Sequence, residues 1–196
     1  MTSILVVCTG NVCRSPMAEG LLWAALQRRF GDASPEIASA GTAGWEGSEP
    51  MPGSVEAARE LGVDISGHRG RRLTTMMAED ADLLLCMATA HREAIRDAVP
   101  ALASRAFTLK ELVRLLETLP PASGVGPDDL PSRVEAADRA RIEGAVPPSR
   151  DDDIADPLGQ PIEAFRAVGW EIDMWTERLV GGLYGTAPAV SAAEGA

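Results

Sequence analysis

Cysteine is scarce in this 196-residue chain: Cys8, Cys13 and Cys86 are the whole complement. Three thiols are too few for a disulfide scaffold, and no C-x-x-C pair offers a zinc site. Basic residues are few as well, 18 Lys and Arg against 29 Asp and Glu, for a formal net charge of −11. Such a surface repels nucleic acid and anionic membranes, so neither is expected as a partner, and positive potential for an anionic substrate must be made locally. Long apolar runs are missing. The first, Ile4 to Val7, is too short for a signal peptide or for the roughly 18 residues of a membrane span. No membrane insertion is expected, and a cytoplasmic, reducing location follows. Asparagine occurs once, at Asn11.

What is present alternates. Ser3 to Val7 is a short β-branched apolar run of the kind buried on both faces of a sheet. From Met17 the apolar residues fall at helical spacing, with Ser15 as expected N-cap and Pro16 in the first turn. Further strands are predicted at 36–40, 83–87 and 106–109, each followed by a helical stretch, at 54–61, 89–98 and 110–119. Alternating β and α elements predict an α/β three-layer sandwich around a parallel sheet, with ligands at the carboxyl ends of the strands. Residues 1–185 read as one domain, 120–153 as a surface insertion with a short helix over 134–142, 161–183 as a last helix, and 186–196 as a flexible tail.

Between the first strand and the first helix lies Cys8-Thr9-Gly10-Asn11-Val12-Cys13-Arg14-Ser15. A loop of this length can curl until successive backbone N–H groups converge on one anion. Gly10 allows a positive φ, and Asn11 is the commonest non-glycine choice for one. Cys8, inside that ring of amides and near Arg14, is expected to act as a thiolate nucleophile. The planar fork of Arg14 can grip two phosphoryl oxygens, and Ser15 can donate to the sulfur as it departs. Fixed dipoles supply the charge stabilisation, so neither metal nor cofactor is expected. Phosphate-monoester cleavage also needs a carboxylic acid facing the loop. Asp151, Asp152, Asp153 and Asp156 are the nearby candidates, and Pro157 stiffens the segment behind the last.

Cys8 to Pro16 resembles the C-x-G-N-x-C-R-S-P loop of the low-molecular-weight protein-tyrosine phosphatases. The similarity continues through Ser39-Ala-Gly-Thr42, Trp45, Gly62 to His68 and Asp156-Pro157. It implies a four-stranded parallel sheet with helices on both faces, Cys8 as nucleophile, Arg14 as phosphate clamp and Asp156 as general acid. It also implies that Ser39 and His68 support the loop through its asparagine, and that Trp45 stands at the substrate rim. The expected partners are a phosphorylated protein and inorganic phosphate. Val12 suits an aromatic ring better than a guanidinium, favouring phosphotyrosine over phosphoarginine. Leu158-Gly159 stand where the family commonly has aromatic residues. An arsenate reductase using an external thiol is the competing enzyme class, since arsenate has the shape of phosphate. His91 reads as an exposed helix residue and Cys86 as core. Cys13 is either a packing residue or a thiol that captures an oxidised Cys8.

Overall fold

The first strand owes its position to its composition. In β1 (Ser3–Cys8), Ile4, Leu5, Val6 and Val7 are each at most 3% exposed. A strand apolar on both faces is stable only in the middle of a sheet covered on both sides, where each such side chain contributes about 1.5–3 kcal/mol as an upper estimate. β1 accordingly pairs in parallel with β2 (Glu36–Gly41) and with β3 (Leu83–Cys86), and β3 pairs with β4 (Ala106–Thr108), giving the order β2-β1-β3-β4. The computed structural model describes residues 2–122, 126–149 and 151–185; the tail expected at 186–196 lies outside them.

Among the described residues the helices are α1 (Arg14–Phe30), α2 (Pro52–Glu60), α3 (Thr75–Asp80), α4 (Thr89–Ala98), α5 (Leu109–Leu116), α6 (Leu130–Ile142) and α7 (Ile162–Tyr184). The period of two along the strands sorts their side chains between two layers. Ile4, Val6, Cys8, Leu83, Leu85 and Phe107 join residues of α1, α2, α5, α6 and α7 in one buried cluster. Leu5, Val7, Leu84, Cys86 and Ala106 face the other way, onto Ala78 of α3, Ile95 of α4 and Leu102. The architecture is the α/β sandwich expected. Strand order reverses around β1, so the crevice beyond its carboxyl end, at Cys8, is the natural ligand position of such a sheet.

Three local readings change. α3 was not anticipated; its signal is Thr74, whose hydroxyl accepts from the Met77 amide at 3.2 Å as an N-cap. α1 begins at Arg14 with Cys13 as an N-cap that makes no side-chain capping bond, so Ser15 is not the cap and its hydroxyl turns to Cys8 instead. In the 120–153 stretch, α6 puts Leu130, Val134, Ala137 and Ala140 into the core cluster.

Candidate active site

The loop from Cys8 to Arg14 connects the central strand to α1, and its amides point where no protein group answers them. Among the described residues no acceptor takes the N–H of Thr9, Gly10, Val12, Cys13 or Arg14. Unpartnered amides at a helix N-terminus form an anion-binding cradle. Cys8, 2% exposed, lies at its base. Its Sγ accepts from the Asn11 amide at 3.3 Å and sits 3.0 Å from Ser15 Oγ.

Holding this curl requires a left-handed residue, and Asn11 (φ 56°) is the only non-glycine with positive φ among the described residues. That conformation costs a non-glycine residue on the order of 1–2 kcal/mol unless its surroundings enforce it. Here they do. The Arg71 amide, which can only donate, reaches Asn11 Oδ1 at 2.8 Å and so fixes the orientation of the carboxamide. Asn11 Nδ2 then donates to Ser15 Oγ at 2.8 Å and to Ser39 Oγ at 2.7 Å. His68 Nε2 donates to the Asn11 carbonyl oxygen at 3.0 Å. With its lone pair engaged by Asn11, Ser15 is left to donate its own proton to Cys8 Sγ. Ser39 likewise donates to Glu19 Oε2 at 2.5 Å, and His68 Nδ1 stands 3.6 Å from the same carboxylate oxygen. Gly10, which could have taken a positive φ, does not; it lies beside the Trp45 ring, whose Nε1 would be 3.7 Å from an added Cβ. The glycine that the loop does require is Gly41, where a Cβ would lie 2.4 Å from the Thr9 carbonyl oxygen.

The acid segment enters from the far end of the chain and is anchored at each step. Both carboxylate oxygens of Asp152 accept from Arg114 Nη2, at 2.7 and 2.8 Å. Asp153 Oδ1 accepts from the Thr89 amide at 2.6 Å and so closes the start of α4. The Ile154 amide donates to the Met87 carbonyl at 2.8 Å, just past β3. Ile154 in turn offers its own carbonyl to Arg14 Nη1 at 3.0 Å. Arg14 Nη2 donates to Asp156 Oδ2 at 2.5 Å. Asp151 pairs with Lys110 at 3.4 Å. Of the four aspartates the sequence offered, only Asp156 reaches the arginine of the loop.

The structure thus brings together Cys8, Arg14, Asp156, Asn11, Ser15, Ser39 and His68. Trp45 (46% exposed) and Leu158 (41%) are open to solvent, Trp45 beside Gly10. Val12 is buried at 2%. Cys8, Cys13 and Cys86 are free thiols. Burial, with Asp156 and Cys8 adding to it and the Ser54 hydroxyl opposing, pushes the Cys13 thiol up to about 11, and burial raises Cys86 as well.

A family model described as low molecular weight phosphotyrosine protein phosphatase matches residues 3–118. A protein-arginine-phosphatase of Geobacillus stearothermophilus is 32% identical over 176 residues, which cover 90% of this chain and 92% of that one. The chain belongs to the low-molecular-weight phosphotyrosine protein phosphatase family. It is a phosphatase and hydrolase of that family. The probable protein-tyrosine-phosphatase EpsP of Ralstonia solanacearum is 39% identical over 110 residues, 56% of this chain and 72% of the relative. Among solved structures, the Erwinia amylovora tyrosine phosphatase AmsI matches with a TM-score of 0.68 at 27% identity, over 93% of each chain. The YwlE arginine phosphatase from Geobacillus stearothermophilus matches with 0.68 at 31% identity, again over 93% of each chain.

Sequence reasoning missed several groups around the phosphatase loop. Glu19, on the first turns of α1, is the acceptor behind Ser39. Arg71 contributes only its backbone, which no residue-type signal could have disclosed. His91 is not exposed: it is 4% accessible, with Nε2 2.9 Å from Thr9 Oγ1. Polar neighbours on α4 concealed this, because the ring faces inward from the first turn of the helix. No helix among the described residues is long and apolar enough to cross a membrane.

Proposed function

We propose that this phosphatase removes phosphate from protein phosphotyrosine through a phosphocysteine on Cys8. The observation that carries the reading is Cys8 Sγ held between Ser15 Oγ (3.0 Å) and the Asn11 amide (3.3 Å), in a loop where the amides of Thr9, Gly10, Val12, Cys13 and Arg14 have no partner among the described residues and whose mouth is spanned by Arg14. Cys8 Sγ attacks phosphorus in line, and the bond from phosphorus to the phenolic oxygen breaks. The loop amides and Arg14 stabilise the equatorial oxygens throughout. Asp156, in its acid form, gives its proton to the departing oxygen. Asp156 then takes a proton from the water that attacks phosphorus. The P–S bond breaks, and Ser15 donates to the sulfur as it accepts the electron pair. Inorganic phosphate leaves.

Trp45, exposed beside Gly10, supports an aromatic substrate, since ring faces stack. Val12, expected to meet the leaving group, is instead buried in the core cluster. A second reading has one specific support. The relative that spans nearly the whole chain is named a protein-arginine-phosphatase, and Leu158 leaves the mouth beside Asp156 without an aromatic wall. Turnover of matched phosphotyrosine and phosphoarginine peptides decides between them. A kcat/KM at least tenfold higher for phosphotyrosine is expected; the reverse ratio would overturn the substrate assignment. Arsenate reduction with glutathione, measured alongside, tests the competing chemistry. Cys8→Ser is expected to abolish hydrolysis while inorganic phosphate still binds.

A further inference from the structure

We propose that His91 is a positioning residue of the phosphatase reaction, acting through the Thr9 hydroxyl to set the first residue of the phosphate loop and the guanidinium of Arg14. The inference rests on the reading of Cys8 and Arg14 given above. His91 Nε2 is 2.9 Å from Thr9 Oγ1, and Arg14 Nη2 reaches the same oxygen at 3.5 Å. Thr9 follows the nucleophile directly, so one hydroxyl links the base of the cradle, its arginine and a helix of the opposite layer. The ring sits in the first turn of α4, the helix that Asp153 of the acid segment closes. Arg14, Asp153 and Asp156 are the charged groups that act on it.

Two features point to this task rather than to simple packing. The ring is buried, and burial together with the neighbouring Arg14 cation depresses its basicity to about 4. It therefore stands neutral beside the phosphate cradle at physiological pH and neither competes with Arg14 for the anion nor repels it. Its Nδ1 has no hydrogen-bond partner among the described residues. A bare buried acceptor costs less than a bare buried donor, so the proton belongs on Nε2, which donates to Thr9. The Thr9 hydroxyl thus accepts from His91 on one side and from Arg14 on the other. Remove the histidine donor and the hydroxyl turns, leaving the guanidinium with the Ile154 carbonyl as its only neutral tether.

The test measures aryl phosphate turnover, inhibition by inorganic phosphate and thermal stability for His91→Leu, His91→Gln, Thr9→Val and the Thr9→Val/His91→Leu double variant. His91→Leu is expected to raise KM and the phosphate inhibition constant together by about five- to tenfold, the weight of one hydrogen bond. His91→Gln, whose amide can reach the same hydroxyl, should recover most of that loss. The double variant should be no worse than the worse single one, because both remove the same bond. A folded His91→Leu enzyme with wild-type constants overturns the proposal. So does an equally impaired His91→Gln, or a double variant whose losses multiply. The chain has two histidines, so ring ¹⁵N signals are assignable with one substitution; a His91 ring that titrates near its ordinary value, or is protonated on Nδ1 when neutral, also overturns it. Cys8→Ser is measured in parallel. If that variant keeps its turnover, the nucleophile assignment fails, whereas the His91 outcomes are read in a Cys8 enzyme.

Discussion

Arg14 Nη2 and Asp156 Oδ2 meet at 2.5 Å, joining a guanidinium that is 6% exposed to a carboxylate that is 44% exposed. The contact joins the arginine of the loop to the aspartate proposed as general acid. In the proposed reaction an arriving phosphoryl dianion competes with Asp156 for the same nitrogen and so frees its side chain toward the leaving oxygen. The Ile154 carbonyl accepts from Nη1 at 3.0 Å and tethers the other arm of the fork.

Arg14→Lys keeps the charge and loses the fork. One ammonium cannot hold the Ile154 carbonyl and two phosphoryl oxygens in one plane. Weakening of phosphate inhibition by about 10- to 100-fold is expected, corresponding to charge-assisted hydrogen bonds of roughly 1.5–3 kcal/mol. Inhibition unchanged within twofold would remove Arg14 from the binding role.

Asp156→Asn retains size and polarity but cannot transfer a proton. Aryl phosphates with poor leaving groups should slow by about 10²–10⁴-fold and activated ones far less. A uniform loss across leaving groups would assign Asp156 to holding Arg14 alone.

Ser39→Ala leaves Asn11 Nδ2, a fully buried donor, with Ser15 as its sole acceptor, and removes the proton donated to Glu19. Destabilisation of about 1–3 kcal/mol by denaturant titration is expected, the cost of unsatisfied buried polar groups. Turnover should fall with it as Asn11 relaxes from its left-handed conformation. Full activity with lowered stability would separate the network from catalysis.

The buried His91 ring sets a pH dependence of stability. Its basicity is about 4 in the fold against 6.5 when exposed. Between those values the unfolded chain binds a proton that the native chain refuses, so stability falls as pH drops through this window. The loss is on the order of 3 kcal/mol by pH 4. His91→Gln should show a shallower decline than the wild type over the same range in urea unfolding. Parallel curves would mean that His91 titrates alike in both states.

The sequence alone determined the parts of this protein that depend on neighbours along the chain. The apolar run Ile4 to Val7 can be stable only as a covered central strand, and a loop from Cys8 to Ser15 can only precede a helix whose free amides face inward. Helices such as Thr89–Ala98 follow from spacing. Tertiary structure decided what depends on distance in the chain. Pro157 and the family resemblance single out Asp156 in the sequence, but its reach to Arg14 is decided in space, where Lys110, Arg114 and the start of α4 engage Asp151, Asp152 and Asp153. His91 looked like a surface residue because helical position does not say which layer a helix covers, and α4 packs toward β3 and β4. Arg71 enters the site through an amide that every residue but proline possesses. Periodicity and side-chain chemistry are written in residue types, whereas pairing between backbone groups and partners many residues apart exists only once the sheet has brought them together.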